Sequence, residues 1–150
     1  MSTLIRETRA ETFVSATTID LVGDAMITEF EPDWDARPLI SADPDGDGAC
    51  IMTGHEIGYM TVTLQLWDAD PPPQASEAWE ASGETSVFWA SAFIDFSSDL
   101  EDEDPACRLD VPHPAPLRLR VHARHLGRQD PLPAGAEPEE YLIQVWPEGT

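Results

Sequence analysis

The sequence predicts an all-β fold, an antiparallel β-sandwich or jelly roll with little helix, and two observations predict it. Short runs rich in Thr, Val, Ile and aromatic residues alternate between apolar and polar positions, and clusters of Pro, Gly and Asp separate these runs. About six to eight such runs, with no internal repeat among them, are typical of two packed antiparallel sheets.

Three segments in the first half of the chain have strand character. Glu11–Asp20 is rich in Thr, Val, Phe and Ile, and Gly23–Phe30 is a second candidate. Ile57–Trp67 alternates most clearly, and Pro71-Pro72-Pro73 ends it because proline cannot donate to a sheet ladder. One face of this strand is predicted to consist of Gly58, Met60, Val62, Leu64 and Leu66.

The second half of the chain contains three further predicted strands. Gln74–Gly83 is expected to be a loop with some helix, and Thr85–Phe96 is apolar on both faces, as in a central strand buried on both sides. Leu117–Ala123 alternates cleanly, and Tyr141–Trp146 is expected to be the last strand.

Length and composition predict one folded domain over residues 1–150. A net charge of −21 alone would suggest disorder, but five Trp, five Phe and 41% hydrophobic residues indicate a packed core. The N-terminus has no apolar signal segment and no stretch has the length of a membrane span, so a cytoplasmic location is expected. In that compartment Cys50 and Cys107, which fit no metal-binding spacing, should be reduced and partly buried.

The strongest feature of the chain is its one-sided charge. From Pro38 to Cys107, seventy residues contain fifteen carboxylates and no lysine or arginine, and they include the run from Asp99 to Asp104. Such a surface attracts and steers basic partners. The chain has no lysine at all, so a GC-rich coding bias or adaptation to high salt would also explain the acidity.

Tryptophan occurs beside carboxylates at three places: Trp34 between two aspartates, Trp67 before Asp68 and Asp70, and Trp79 between two glutamates. A desolvated aromatic anchor with acidic neighbours is the combination expected where a basic protein docks, although each Trp could equally belong to the core. The predicted partner-binding residues are Asp99, Glu101, Asp102, Glu103, Asp104, Trp34, Trp67, Asp68, Asp70 and Trp79.

The run from Asp43 to Gly48, with the sequence DPDGDG, reproduces the first half of a calcium-binding loop. Asp43, Asp45 and Asp47 would be the ligands, but the twelfth position is Gly54 instead of a bidentate Glu. An Asp- and Gly-rich β-connection has the same sequence, so calcium binding, if it occurs, should be weak. No other cofactor is predicted.

Arg118, Arg120 and Arg124 lie with His122 on one face of a predicted strand. This stripe is either an anion site or, as we favour, the partner of carboxylates on adjacent strands. Nucleic-acid binding is disfavoured, because a chain of net charge −21 is repelled by phosphates. No nucleophile elbow or phosphate-binding loop occurs, so no enzymatic activity is predicted.

The C-terminal third contains a proline-led strand over Val111–Arg124 and a closing strand over Glu140–Pro147, and an N-terminal strand is predicted at Phe13–Asp20. This layout is similar to that of the competence protein J family of small bacterial β-rich proteins. The resemblance implies an inhibitor that binds and restrains a DNA-degrading nuclease, and it transfers no individual binding residue.

Three hypotheses follow from the sequence. The first is an acidic immunity or inhibitor protein that neutralises a basic partner such as a nuclease or toxin. The second is a small-ligand or carbohydrate-binding jelly roll with a calcium site and exposed tryptophans for sugar stacking. The third is a DNA mimic, which differs from the first only in the basic surface that it covers.

Overall fold

The computed structural model describes residues 2–14, 17–24, 32–33, 35–36, 38–44, 46–54, 58–72, 79–96, 105–125 and 139–148. Within these ranges the chain forms ten strands and one helical element, a 3-10 turn at Pro105–Cys107. The strands are β1 (Leu4–Val14), β2 (Thr18–Val22), β3 (Ile40–Ala42), β4 (Gly48–Met52), β5 (Gly58–Trp67), β6 (Ala81–Trp89), β7 (Phe93–Asp95), β8 (Arg108–Asp110), β9 (Ala115–Arg124) and β10 (Glu140–Pro147).

The strands form two five-stranded sheets, which confirms the predicted all-β fold. Sheet A has the order β1-β5-β10-β9-β6, and sheet B has the order β3-β4-β2-β7-β8. Every pair is antiparallel except β5 and β10, which run parallel. β10 lies between β9 and β5. It runs antiparallel to β9 and in the same direction as β5.

The core lies between the two sheets and follows the alternation of the strands. Met60, Val62, Leu64 and Leu66 are buried on the predicted face of β5. The same alternation buries inward side chains of the other central strands. Those in sheet A include Leu117, Leu119, Val121, Tyr141, Ile143 and Val145, and those in sheet B include Ile19, Leu21, Ile51 and Ile94.

The prediction of one central strand over Thr85–Phe96 is wrong. The chain leaves sheet A at Trp89 and enters sheet B at Phe93, so β6 and β7 belong to different sheets. The turn between them is fixed by Asp47, whose Oδ1 accepts a hydrogen bond from the Ala90 backbone N–H at 2.6 Å. The apolar character of the run therefore comes from two strands that belong to different sheets.

The predicted strand Glu11–Asp20 is also interrupted. β1 begins earlier, at Leu4, and ends at Val14, while β2 begins at Thr18 after a left-handed residue, Thr17, with φ of 72°. The alternating charges near the start of β1 concealed this part of the strand, because β1 is an edge strand with an exposed face.

Two further predicted strands are confirmed, and a third lies mostly outside the described residues. Leu117–Ala123 and Tyr141–Trp146 are confirmed within β9 and β10, whereas Gly23–Phe30 lies mostly outside the described residues. Cys50 and Cys107 are buried and form no disulfide with each other. Within the described ranges, no helix is long and apolar enough to cross a membrane.

Candidate partner-binding surface

Six of the predicted partner-binding residues lie outside the described part of the chain. They are Trp34, Asp99, Glu101, Asp102, Glu103 and Asp104. We call the run from Asp99 to Asp104 the acidic segment. The structure describes the chain on both sides of it, up to Phe96 and again from Pro105.

Both attachment points of the acidic segment lie against β1. The Phe96 backbone N–H donates to the Cys107 carbonyl at 2.9 Å, which closes the base of the connection. The Thr12 hydroxyl donates to the Phe96 carbonyl at 3.2 Å, and the Thr8 hydroxyl donates to the Ala106 carbonyl at 2.6 Å. The described residues on either side of the acidic run, Phe96 and Ala106, therefore lie beside the β1 edge of sheet A.

Trp67 and Asp68 lie at the end of β5, beside the start of the edge strand β1. Trp67 is paired in register with Leu4. Asp68 Oδ1 accepts a hydrogen bond from the Thr3 backbone N–H at 2.7 Å, and the Asp68 N–H donates to the Thr3 carbonyl at 3.1 Å. Asp68 thus fixes the beginning of β1 while remaining exposed.

Asp70 and Trp79 lie elsewhere, against the outer face of β9. Asp70 forms an ion pair with Arg120 at 3.0 Å, and the Arg124 guanidinium lies 4.6 Å from the Trp79 ring centroid. Both residues belong to the connection from β5 to β6, whose described ends, residues 68–72 and 79–80, contact β9. The structure therefore separates Trp67 and Asp68 from Asp70 and Trp79.

This arrangement divides the outer face of sheet A into two halves. We call the outer faces of β9 and β10 the covered half, because His122, Leu142, Gln144 and Trp146 are all buried there. We call the outer faces of β1 and β5 the open half.

The arginine stripe lies in the covered half and is neutralised within the protein. Arg118 pairs with Glu84, Arg120 pairs with the same carboxylate at 2.8 Å, and Arg124 pairs with Glu140 at 2.8 Å. Burial opposes ionisation of Glu84, but the hydrogen bonds from Arg118 and Arg120 outweigh it and hold its pKa below the ordinary value. The predicted cross-strand pairing of the stripe is thereby confirmed.

His122 is the buried titratable group of the covered half. Its ring lies 5.7 Å from the Trp79 ring centroid. Burial lowers the pKa of His122 and Arg120 lowers it further, while a hydrogen bond with Gln144 acts in the opposite direction. Protonating this histidine would place a second positive charge beside an arginine.

Most of the exposed large hydrophobic residues in the described ranges lie on β1 and β5. Phe13 is 42% exposed and Tyr59 64% exposed, and their ring centroids lie 5.2 Å apart across the β1–β5 pair. Leu4 and Ile5, near the start of β1, are 39% and 49% exposed. Of the exposed large hydrophobic residues in the described ranges, only Phe88 lies elsewhere, on β6.

Sequence reasoning missed Phe13 and Tyr59 as candidate surface residues. The available signal was a large aromatic residue on the otherwise polar face of an alternating strand. Tyr59 shares its predicted face with Thr61, Thr63 and Gln65, so its ring had to point away from the core.

The start of β5, which carries Tyr59, is held by a buried hydrogen-bond group. Tyr141 Oη donates to Glu139 Oε1 at 2.8 Å, and the same oxygen accepts from the Gly54 backbone N–H at 2.7 Å. Burial and the neighbouring Glu139 carboxylate raise the pKa of Tyr141, so its hydroxyl keeps its proton. The Thr61 N–H donates to the Glu139 carbonyl at 3.0 Å, which ties this group to β5.

The arginines of β1 are also paired. Arg6 lies 3.6 Å from Asp110, and Arg9 lies 3.8 Å from Glu140. With Arg108 paired to Asp95 and the arginine stripe paired as above, each arginine in the described ranges has a carboxylate partner. The excess negative charge of the chain is therefore left to the remaining carboxylates.

The predicted calcium loop forms the connection between β3 and β4. Gly46 and Asp47 adopt left-handed conformations, with φ of 92° and 54°. Asp47 is engaged by the β6–β7 turn, since its Oδ2 accepts from the Ser91 hydroxyl at 2.6 Å and its Oδ1 from the Ala90 N–H. Among the residues that the structure describes, no group of three acidic, histidine or cysteine residues could hold a metal ion. Asp45 lies outside those residues, so calcium binding stays a prediction.

Two solved structures share this fold over nearly the whole chain. ComJ from Bacillus subtilis, an inhibitor of the DNA degrading activity of NucA, matches with a TM-score of 0.63 and 11% identity, covering 98% of each chain. The protein of crocagin biosynthetic gene J matches with a TM-score of 0.52 and 18% identity, covering 96% of this chain and 99% of the other. No protein-family model and no curated protein sequence matches the chain. The resemblance predicted from the strand layout is thus confirmed at the level of the fold, which this chain shares with ComJ.

Proposed function

We propose that the protein is an inhibitor that binds a nuclease and blocks its access to DNA, without catalysing a reaction itself. The observation that carries the proposal is the match to ComJ over 98% of both chains, since ComJ is an inhibitor of a DNA-degrading activity. A fold can serve several functions, so the charge of the surface is the second support.

The charge distribution suits such a partner. The net charge is −21, and the described arginines are each paired within the protein. Proteins that bind DNA present cationic surfaces to its phosphates. An acidic inhibitor is attracted to the same surface, which accelerates association and makes it sensitive to salt.

The carbohydrate-binding alternative has less support from the tryptophans. Trp89 and Trp146 are buried, Trp79 lies beneath Arg124, and the Trp67 indole N–H donates to Gln65 at 2.9 Å. A sugar-stacking platform needs an exposed aromatic face, and in the described ranges that property belongs to Phe13, Tyr59 and Phe88, not to a tryptophan.

The direct test uses DNase activity in fractionated extract of the native host. We expect the purified protein to inhibit one nuclease fraction at low salt and to elute with that nuclease in a fixed ratio. The complex should dissociate between about 0.15 and 1 M salt, because the Debye length falls from roughly 8 to 3 Å. Failure to inhibit any nuclease fraction at low salt would contradict the proposal.

The acidic segment has its own test. Reversing Glu101, Asp102 and Glu103 to Lys should slow association with the nuclease, because steering depends on local charge, and should leave the melting temperature nearly unchanged. The matched control reverses three exposed carboxylates on other parts of the fold, namely Asp20, Asp24 and Glu148. An equal reduction of the association rate by both sets would mean that only the net charge matters.

A further inference from the structure

We infer that the open half of sheet A is the docking surface for a cationic protein, with the Phe13–Tyr59 pair as its anchor. This inference rests on the proposed inhibitor function and deepens it by naming the surface and the chemistry of its partner. The acidic segment alone would not carry it. The independent observation is the exposed aromatic pair, which lies on the described strands β1 and β5.

The aromatic pair has the properties of a binding anchor. Phe13 and Tyr59 are 42% and 64% exposed, and their rings already contact each other at a centroid distance of 5.2 Å. Aromatic side chains with few rotatable bonds bury a large area at low entropic cost, and they are enriched among the residues that dominate binding energy. Leu4 and Ile5 are a separate exposed apolar pair at the other end of β1, beyond Glu7 and Glu11.

The backbone beneath the pair is held in place before any partner arrives. Phe13 and Tyr59 lie opposite each other in the β1–β5 register. The Glu139 carbonyl fixes Thr61, two residues from Tyr59, and the Thr12 hydroxyl fixes the residue before Phe13 to the Phe96 carbonyl. A prearranged surface loses less conformational freedom on binding.

The charges around the pair select a cationic partner. Glu11 is an exposed carboxylate two residues from Phe13 on the same face of β1, and Glu7 and Asp68 add exposed carboxylates towards the start of this strand. Arg9, which lies between Glu7 and Glu11, is paired with Glu140. An aromatic pair with exposed carboxylates on one side is complementary to an apolar patch flanked by Lys and Arg on another protein.

The same charge disfavours two other occupants of this surface. A second copy of the chain would bring two molecules of net charge −21 together, and their mutual repulsion opposes a dimer. Nucleic acid is repelled for the same reason.

The opposite edge of sheet A is less available to a partner, since β6 packs against β3 around Gly83, where an added Cβ would lie 3.3 Å from the Leu39 side chain.

The test is the double variant Phe13→Thr with Tyr59→Thr, assayed against the nuclease fraction that the wild-type protein inhibits. Threonine retains strand propensity while removing both rings. The matched control is Phe88→Thr, which removes a ring that is 55% exposed on β6. We expect the double variant to lose at least about tenfold in inhibitory potency, and Phe88→Thr to stay within about threefold of wild type.

A single variant, Tyr59→Arg, keeps the test independent of any folding defect. At 64% exposure this substitution should leave the melting temperature close to that of the wild type, yet it places a positive charge where the cationic partner docks. It should weaken inhibition and reduce its salt sensitivity.

The outcomes separate the inference from the proposed function. If the wild type inhibits and both the double variant and Tyr59→Arg inhibit equally well, the nuclease-inhibitor function stands and the docking surface is wrong. If the wild type inhibits no nuclease, both are wrong. A free protein that sediments as a dimer, and as a monomer after Phe13→Thr with Tyr59→Thr, would overturn the cationic partner in favour of a second copy.

Discussion

The two halves of the outer face of sheet A are built from the same kind of alternating strand but differ in the exposure of their side chains. In the covered half, His122, Gln144 and Trp146 are 8%, 0% and 4% exposed although they point away from the core between the sheets. In the open half, Phe13 and Tyr59 remain at the surface. The position of a strand in the sheet, and the connection that packs on it, therefore decide the role of its outer face. The outer face of the covered half stabilises the fold, whereas that of the open half is available to a partner.

The difference extends to charge. The covered half concentrates arginines and satisfies them with Glu84, Asp70 and Glu140, so its ion pairs are internal and partly shielded from water. The open half keeps exposed carboxylates beside exposed rings. Groups that already have partners contribute to the fold, whereas unburied rings gain most of their contact area only on binding.

The largest expected effect compares one aromatic residue in each half. Trp146→Ala should lower the free energy of unfolding by about 3–5 kcal/mol, the usual loss for a buried aromatic residue. Tyr59→Ala should lower it by less than about 1 kcal/mol, because most of its ring is already in water. Urea denaturation of both variants measures the difference. Similar losses would show that the open half also carries the fold.

The second comparison uses arginines. The Arg120 side chain is 21% exposed, pairs with Asp70 and Glu84, and its guanidinium lies 4.8 Å from the Trp146 ring centroid. Arg120→Gln should cost about 1.5–3 kcal/mol, as charge-assisted hydrogen bonds do. The Arg9 side chain is 63% exposed, so Arg9→Gln should cost less than about 1 kcal/mol. Thermal unfolding at matched ionic strength measures both losses of unfolding free energy. Equal losses for Arg120→Gln and Arg9→Gln would contradict the difference between the two halves.

The third prediction concerns pH and the covered half. Because burial and Arg120 hold the pKa of His122 below its ordinary value of 6.5, the unfolded chain binds a proton at this residue more readily than the folded chain. The stabilising contribution is present above that value and is lost as the pH falls below it. His122→Gln should therefore flatten the decrease in melting temperature between about pH 7.5 and 5.5.

The neighbouring charges define the control for this titration. Arg120 and Arg124 lie on the same strand, Glu140 lies on β10, and Asp70 belongs to the connection that packs on the sheet. Glu84, on β6, has a pKa that is itself lowered, so its contribution is lost only in more acidic solution. A variant in the open half, Glu11→Gln, should keep the wild-type pH dependence. If His122→Gln keeps it too, other groups cause the decrease.

The residues that the sequence predicted well are those whose environment is set by local alternation. The core face of β5, the clean alternation of β9 and the cross-strand pairing of the arginines all depend on neighbours within a sheet. The break between β6 and β7 could not be predicted, because it depends on Asp47, more than forty residues away in sequence. Long-range contacts of this kind have no local pattern.

The candidate surface was predictable only in part. The sequence predicted Trp67, Asp68, Asp70 and Trp79 as partner-binding residues of one surface, but in the fold the first two lie beside β1 and the latter two lie on the covered half. It gave no indication that Phe13 and Tyr59 would meet, since their pairing requires the register of β1 against β5. Register is a property of the assembled sheet.

The smallest expected effect concerns calcium, and it bears on where the functional surface lies. Because the Asp47 carboxylate already accepts hydrogen bonds from Ala90 and Ser91, we expect calcium at about 5 mM to raise the melting temperature no more than magnesium does. A calcium-specific increase that Asp45→Asn abolishes would instead indicate a metal site, since a ligand that binds only the folded state stabilises it. The Asp47 N–H donates to the Phe88 carbonyl at 3.2 Å, so such a site would lie beside the β6 aromatic residue. That result would move the functional surface away from the open half and restore the small-ligand hypothesis.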